Sequence, residues 1–130
     1  MEIASRKRVS GSVEEVRGRL EEALKGEGFG VLTEIDVAAI FKARLGLERS
    51  PYRILGVCNP HLAQKVLAVD EGLGVLLPCT VVLRQEGHGV EVLVQDPKAM
   101  VAVLPDALRE ALRPMVEEAE SRLRRVLEGL

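Results

Sequence analysis

The chain has 130 residues, with 18 basic and 20 acidic side chains and a formal net charge of −2, so it is long enough for one ordinary domain and offers no bulk attraction to a polyanion. Hydrophobic residues make up 47% of the chain but aromatic residues only 2%, which leaves few rings for stacking on nucleic-acid bases. No apolar run reaches the roughly 18 residues of a membrane span, and no targeting segment is evident, so we expect a cytoplasmic protein that binds neither nucleic acid nor membranes.

The first elements are predicted to be a strand and a helix. Weak alternation over Ile3–Val9 is typical of an edge strand. Ser12 and Glu15 have the spacing of a capping box, in which each side chain bonds a free backbone N–H at a helix start. A helix is therefore predicted over Val13–Lys25, with one apolar face made by Val13, Val16, Leu20 and Leu24.

A second strand and a short helix are predicted next. The segment Phe29–Ile35 alternates, which places Phe29, Val31, Thr33 and Ile35 on one face of a strand. Asp36 stands where an N-cap belongs. The helix after it is predicted over Val37–Leu45, and its apolar side would contain Val37, Ile40, Phe41 and Leu45.

The central segment Pro51–Leu83 holds both cysteines and the only asparagine of the chain. Its first part, Tyr52–Cys58, has the length and apolar character of a strand. Asn59 is a favourable helix N-cap, and Pro60 suits the first helical position because its missing N–H needs no partner there. These residues predict a strand that leads directly into a helix, which would end near Asp70–Gly72.

Two further strands are predicted after this helix. The segment Val75–Gln85 is predicted to be a strand interrupted at Pro78, which indicates an edge position or a bulge because proline cannot donate to a ladder. The glycines of Glu86–Gly89 favour a hairpin turn by supplying positive φ, and Val90–Gln95 would be the partner strand. Asp96 followed by proline then predicts a short helical turn.

The C-terminal segment Pro105–Leu127 repeats apolar residues at helical spacing and is predicted to be a long helix with one buried face. Pro114 lies inside it and should kink the helix or divide it in two. The resulting order is β-α-β-α-β-α-β-β-α. It predicts an α+β fold, with residues 1–130 forming a single two-layer domain in which helices cover one face of a mainly antiparallel sheet.

Three strings carry a resemblance to a known family: GFGVLTEIDV (28–37), YRILGVCNP (52–60) and GVLLPCTVVL (74–83). Together they resemble the domain of unknown function 302 family over about residues 28 to 97. The resemblance implies an antiparallel sheet covered by helices, similar to the fold of the TATA-box-binding protein, and self-association. It implies no established activity. His61 follows the CNP string and takes no role from the resemblance.

The cysteines Cys58 and Cys79 are the first candidates for chemistry. Cys58 precedes a predicted helix N-terminus, whose free amides favour a thiolate. Both residues also lie in apolar strands, where cysteine most often serves as a small packing residue. The chain has no CxxC motif and only two histidines, so we predict no zinc site and no disulfide.

Carboxylates and a histidine are the second group of candidates. Glu34 and Asp36 are two residues apart on one strand face, roughly 7 Å between α-carbons, a separation that suits acid-base chemistry or cation binding. The alternative is that Glu34 faces solvent and Asp36 caps a helix. His61 and Asn59 stand at the predicted helix start beside Cys58. The simpler interpretation of His61 is a solvated side chain; the alternative is a thiolate and imidazole pair that would activate the sulfur of Cys58.

Two functions from different classes follow. The first is a non-enzymatic homodimer that binds a small molecule or a partner near the Asn59 helix start, without cofactor or metal. The second is a thiol-dependent protein that carries sulfur, a soft metal such as Cu(I), or a redox equivalent on Cys58 with help from Cys79. The sequence favours the non-enzymatic function and leaves an enzymatic one open.

Overall fold

The computed structural model describes residues 3–130, which form five strands, five α-helices and one 3₁₀ helix. The strands are β1 (Ala4–Ser10), β2 (Gly30–Asp36), β3 (Tyr52–Cys58), β4 (Cys79–Glu86) and β5 (Gly89–Gln95). The α-helices are α1 (Val13–Gly26), α2 (Val37–Leu45), α3 (Pro60–Val69), α4 (Pro97–Val101) and α5 (Asp106–Glu128), and the 3₁₀ helix is Glu71–Leu76. The 3₁₀ helix is an addition to the prediction, whereas the short helical turn predicted after Asp96 is present as α4.

The five strands form one sheet in the order β1-β5-β4-β3-β2, and every neighbouring pair is antiparallel. The predicted α+β class is confirmed, as is the edge position of β1. No helix within residues 3–130 is both long and apolar enough to cross a membrane.

The core lies between one face of the sheet and helices α1 and α5. Helix α1 begins at the predicted capping box of Ser12 and Glu15, and its four buried residues are the four expected from the sequence. From the sheet, alternate residues point into the same core, and the last turns of α5 close it. Its fully buried members include Val16, Leu20, Leu24, Leu55, Val57, Val81, Leu83, Val90, Val92 and Val126.

Strand β2 departs from simple alternation. Its register with β3 pairs Val31 with Val57 and then Thr33 with Gly56, so Leu32 is an extra residue in a β-bulge. A bulge of one residue moves the following side chains to the other face. The prediction that Phe29, Val31, Thr33 and Ile35 share one face is therefore wrong: Phe29 is buried in the core, whereas Ile35 is 44% exposed.

The segment before β4 was also predicted incorrectly. Val75 lies in the 3₁₀ helix and is exposed, and the strand begins only at Cys79, after Pro78. Because Pro78 precedes the strand, it removes no ladder bond, and β4 is an interior strand between β3 and β5. In the hairpin that follows β4, only Gly87 has positive φ.

Two helices bear on points that the sequence left open. Of the two outcomes predicted for Pro114, a kink or a division, division does not occur, because α5 continues as one helix through this exposed residue. Packing on both sides of Pro114 accounts for this, since Leu112 before it and Leu123 after it are buried. Helix α2 has the predicted bounds but buries none of its residues, so its apolar side is not part of the core.

Candidate functional site

An apolar cavity of about 90 Å³ lies where the end of β3 and the start of β4 meet helices α3, α4 and α5. A cavity of this size has room for a few water molecules or a small apolar group, whereas drug-sized ligands occupy roughly 300 Å³ or more. It is therefore too small for a nucleotide. Its walls include Phe29, Cys58, Asn59, Leu62, Ala63, Val66, Cys79, Met100, Leu112 and Met115.

The sheet register brings the two cysteines together at this cavity. Cys79 is paired with Val57, the residue before Cys58, so the two cysteines lie on neighbouring strands and both thiols are free. Burial raises the pKa of Cys58, and burial together with the nearby Cys58 raises the pKa of Cys79 to about 11. Both groups keep their protons at neutral pH. Of the two interpretations of Cys58, the raised pKa favours a packing residue over a thiolate at the start of α3.

Asn59 is the one buried polar side chain among residues 3–130, at 6% exposure. Its Oδ1 accepts hydrogen bonds from the backbone N–H groups of His61 (3.1 Å) and Leu62 (3.3 Å), which caps α3 as predicted. Its Nδ2 donates to the carbonyl oxygen of Glu27 at 3.3 Å. Asn59 thus joins the start of α3 to the end of α1, and its polar atoms are occupied by the protein itself.

Gly28 makes this arrangement possible. Its φ of +80° is a conformation that other residues rarely adopt, and a Cβ added to it would lie 3.0 Å from Nδ2 of Asn59. Gly56 on β3 has a similar constraint, because an added Cβ would collide with Thr33 Oγ1 and lie 2.8 Å from Pro78 Cγ. Gly28 and Gly56, which belong to two of the three strings quoted above, therefore allow neighbouring side chains to pack closely against the backbone near the cavity.

The carboxylates lie near the opposite end of β3, in a group that we call the Glu34 cluster: Glu34, Asp36, Arg17, Arg53 and Glu14. Glu34 accepts hydrogen bonds from Arg17 at 3.0 Å and Arg53 at 2.8 Å, and Arg53 also bonds Glu14. Burial opposes the ionisation of Glu34, but the two guanidinium groups outweigh it and hold the pKa of this carboxyl below its ordinary value. Glu34 is thus a fixed anion and a poor proton donor or acceptor.

Asp36 and His61 have local roles. Asp36 accepts a hydrogen bond from the N–H of Ala39 at 2.9 Å and caps α2, which matches the simpler of the two interpretations. The side chain of His61 is exposed and is not part of the cavity wall. This position agrees with the solvated interpretation of His61 and gives no support to its pairing with Cys58. The cavity brings together Cys58, Asn59 and Cys79, while Glu34, Asp36 and His61 lie outside it.

Sequence reasoning missed two cavity residues, Met100 and Met115. Met100 comes from α4, whose segment was expected only as a short turn, and Met115 comes from the face of α5 next to Pro114. The available signal was compositional, since the chain contains three methionines and two cysteines. Four of these five sulfur-containing residues line one cavity. Among residues 3–130, no three His, Cys, Asp or Glu side chains come together as a metal site.

Comparison with known sequences extends the resemblance seen in the three strings. The sequence model of the family described as "Domain of unknown function DUF302" matches residues 5–130. The chain belongs to the DUF302 family. The match is wider than the segment 28–97 expected from the strings, and it includes β1, α1 and α5. A comparison with curated proteins found no match for this DUF302 chain.

Among solved structures, this DUF302 domain is similar to the crystal structure of an uncharacterized conserved DUF302 protein from Bacillus stearothermophilus. The two chains have 34% sequence identity and superimpose with a TM-score of 0.88. The similarity covers 99% of this chain and 98% of the other. The whole sheet and its helices therefore belong to the family fold.

Proposed function

We propose that this protein is a non-enzymatic, homodimeric domain that binds a small apolar ligand in the cavity beside Cys58 and Cys79. The observation that carries the proposal is the chemistry of the cavity wall, which is almost entirely aliphatic, thioether and protonated thiol. Within residues 3–130, every buried side-chain nitrogen and oxygen has a hydrogen-bond partner. The wall therefore presents no buried polar atom without a partner. Besides Asn59, its polar side chain is Gln95, whose Oε1 accepts a hydrogen bond from the N–H of Thr80, so an apolar guest matches the wall best.

The cavity is bounded on one side by weakly anchored elements. The 3₁₀ helix buries only Leu73, and α4 buries none of its five residues. Elements with few buried apolar contacts open at low free-energy cost. A ligand larger than the cavity would be accommodated by displacement of this side, while β3, β4 and α5 keep the opposite wall in place.

The first test is a titration with xenon or benzene, followed by methyl NMR. We expect shifts at Leu62 and Val66, which line the cavity, and none at Val16 or Leu20, which lie in the core away from it. Substitution Ala63→Leu should fill the cavity and abolish the shifts. Its control is Ala107→Leu on the exposed surface of α5. Equal shifts in wild type and Ala63→Leu would show that the probe binds elsewhere and would overturn the proposal.

A second candidate function is the binding of a soft metal ion, which the four sulfur atoms of Cys58, Cys79, Met100 and Met115 favour. Thiolate and thioether ligands select Cu(I), and a water-excluding wall suits an ion of low coordination number. Because both thiols are protonated when the cavity is free, binding would release protons and strengthen as pH rises. We place this function second because its donors would have to deprotonate against the effect of burial.

Competition of the protein with a Cu(I) chelator tests this second candidate. Cys79→Ser and Met115→Leu should each weaken Cu(I) binding about tenfold or more, as expected for loss of one ligand. Met115→Leu is the sharper variant, because leucine conserves volume and retains an apolar ligand site while removing the sulfur. Cu(I) affinity that is unchanged in both variants contradicts the metal site and leaves apolar binding intact.

The free thiols are also consistent with action in a reducing cytoplasm.

A further inference from the structure

Gln95, the last residue of β5, is half-buried and forms part of the cavity wall. The ladder between β4 and β5 ends at the pair Val81–Val94, so the N–H of Thr80 lies one residue beyond it. The side chain of Gln95 takes the place of a strand partner there, because its Oε1 accepts a hydrogen bond from this N–H at 2.6 Å. The amide of Gln95 is thereby held at the start of β4, beside the residue that follows Cys79.

This hydrogen bond fixes the orientation of the Gln95 amide. A backbone N–H can donate only to the oxygen of a side-chain amide, so Oε1 faces Thr80 and Nε2 lies on the other side. Nε2 makes no hydrogen bond to any residue of the segment 3–130, where every buried side-chain nitrogen and oxygen does have a partner. Nε2 is therefore an accessible donor, held in a defined orientation.

The other amide of the cavity wall has no donor to spare. Oδ1 of Asn59 accepts two backbone N–H groups of α3, and its Nδ2 donates to the carbonyl oxygen of Glu27. The remaining side chains of the wall are apolar or contain sulfur, and thiols are weak donors. Binding sites commonly combine an apolar wall with a few placed polar groups that orient the ligand. Nε2 of Gln95 is the group of this wall that can do so.

Gln95 also borders a second, open groove, between the end of β5 and helix α5. Lys7 holds this side in place, because its Nζ donates to the carbonyl oxygens of Leu127 (3.0 Å) and Glu128 (3.3 Å) in the last turn of α5. Charged side chains, among them Glu120, also border the groove. An apolar guest therefore matches the cavity side of Gln95 and not the groove side.

We propose that the ligand of the cavity is a small apolar molecule with one hydrogen-bond acceptor, such as a carbonyl oxygen, and that Nε2 of Gln95 donates to it. This inference rests on the proposed function and names the chemical class of its ligand. A fixed donor replaces the hydrogen bond to water that the acceptor loses on binding, whereas an ionised group would meet no opposite charge in the wall. Gln95 thus favours carbonyl compounds over hydrocarbons of the same shape.

Two ligands of nearly the same shape test the inference. Cyclopentanone has a carbonyl oxygen, and methylenecyclopentane has a CH₂ group in its place. Each is titrated into the full chain and followed by NMR of the methyl groups of Leu62 and Val66, which line the cavity. Because water solvates the ketone better than the hydrocarbon, the quantity compared is the change in the ratio of the two affinities on substitution.

Gln95→Glu and Gln95→Met both remove the amide donor. Glutamate keeps an oxygen for the N–H of Thr80, and methionine keeps the side chain neutral and of similar length. Each variant should lower the affinity for cyclopentanone relative to methylenecyclopentane about three- to tenfold, as expected for the loss of one hydrogen bond. The control is Gln64→Glu, at an exposed position of α3 outside the cavity wall, and it should leave the ratio unchanged.

The infrared spectrum of bound cyclopentanone gives a second measurement. A hydrogen bond to the carbonyl oxygen weakens the C=O bond, so the stretching frequency should be lower in the wild type than in Gln95→Met. Circular dichroism establishes that each variant keeps its fold. If Gln95→Met does not fold, Gln95→Glu still tests the inference, because it retains the bond to Thr80.

The outcomes separate this inference from the proposed function. Methyl shifts with both ligands, together with an affinity ratio that is unchanged in both variants, would overturn the role of Gln95 and leave the cavity as the binding site. Shifts at Leu127 without shifts at Leu62 would place cyclopentanone in the groove and would also overturn the inference. No shift at Leu62 or Val66 with either ligand would overturn the proposed function, and this inference with it.

Discussion

The cavity and the Glu34 cluster lie at opposite ends of strand β3 and differ in how completely their contacts are satisfied. In the Glu34 cluster the charged side chains form ion pairs with one another, as Glu34 does with Arg17 and with Arg53. At the cavity the polar atoms of Asn59 are also occupied, but the apolar side chains face an unfilled space. The apolar wall of the cavity is therefore the surface that is free to bind a ligand. The charged residues of the Glu34 cluster are already bound to one another.

A substitution that enlarges the cavity should have the largest effect on the free energy of unfolding. Leu112 is 1% exposed and forms part of the wall, so Leu112→Ala should lower the free energy of unfolding by about 2–5 kcal/mol through lost contacts and added void. Benzene should restore part of the loss by filling the void. Urea unfolding with and without benzene measures both effects. A loss that benzene does not reduce would contradict a dry, accessible cavity.

Removing the N-cap of α3 or the N-cap of α2 should have an intermediate effect on the free energy of unfolding, and the two substitutions can be compared directly. Asn59→Ala removes the cap of α3 and the bond to the Glu27 carbonyl from a buried site, so it should cost about 2 kcal/mol. Asp36→Ala removes the cap of α2 at an exposed site and should cost about 0.5–1 kcal/mol. Chemical unfolding of both variants gives the difference. Equal costs would mean that the bond between Asn59 and Glu27 adds nothing to stability.

The pH dependence of stability should distinguish the two regions. A loss of stability at alkaline pH should come from the cavity, and a loss at acid pH from the Glu34 cluster. Cys79 has a raised pKa, so its contribution is fully present below the ordinary value of 9.0 and is lost as pH rises toward about 11. Glu34 has a lowered pKa, so its contribution is present above the ordinary value of 4.5 and is lost as pH falls. One proton changes stability by at most about 1.4 kcal/mol per pH unit.

Two substitutions identify which group causes the change of stability at alkaline pH and which causes the change at acid pH. Cys79→Ala should flatten the alkaline part of the unfolding free energy, leaving a smaller contribution from Cys58. Glu34→Gln should flatten the acid part and leave the alkaline part unchanged. Thermal unfolding across the pH range measures both. An alkaline slope that persists unchanged in Cys79→Ala would show that the thiol is not desolvated.

Local signals explain which elements could be predicted. Capping by Ser12, Asp36 and Asn59 marks three helix starts, because each side chain replaces a hydrogen bond that the first turn lacks. Burial in α1 follows from its helical spacing alone. The sequence names Cys58, Asn59 and Cys79 as candidates but leaves the distance between the cysteines open, and the register of β3 with β4 brings the three residues to one cavity.

Nonlocal features could not be predicted from those signals. The bulge at Leu32 depends on how β2 aligns with β3, and sequence alternation alone does not report it. Val75 resembles a strand residue because it is apolar and β-branched, yet it is exposed on a 3₁₀ helix. Met115 was placed on the apolar face of its helix, but its position in the cavity wall depends on how α5 packs against α3 and α4.

The contact of Lys7 with the last turn of α5 has a consequence for how the domain is made. Its ammonium group binds carbonyl oxygens more than a hundred residues later in the chain, and Val126 and Leu127 complete the same core as Val9. During synthesis the N-terminal strand therefore emerges long before the helix that covers it. Until α5 is available, of these two helices only α1 can cover the sheet, so the ribosome-bound chain has an interval in which a chaperone, or a neighbouring chain, can reach the uncovered part of the apolar face.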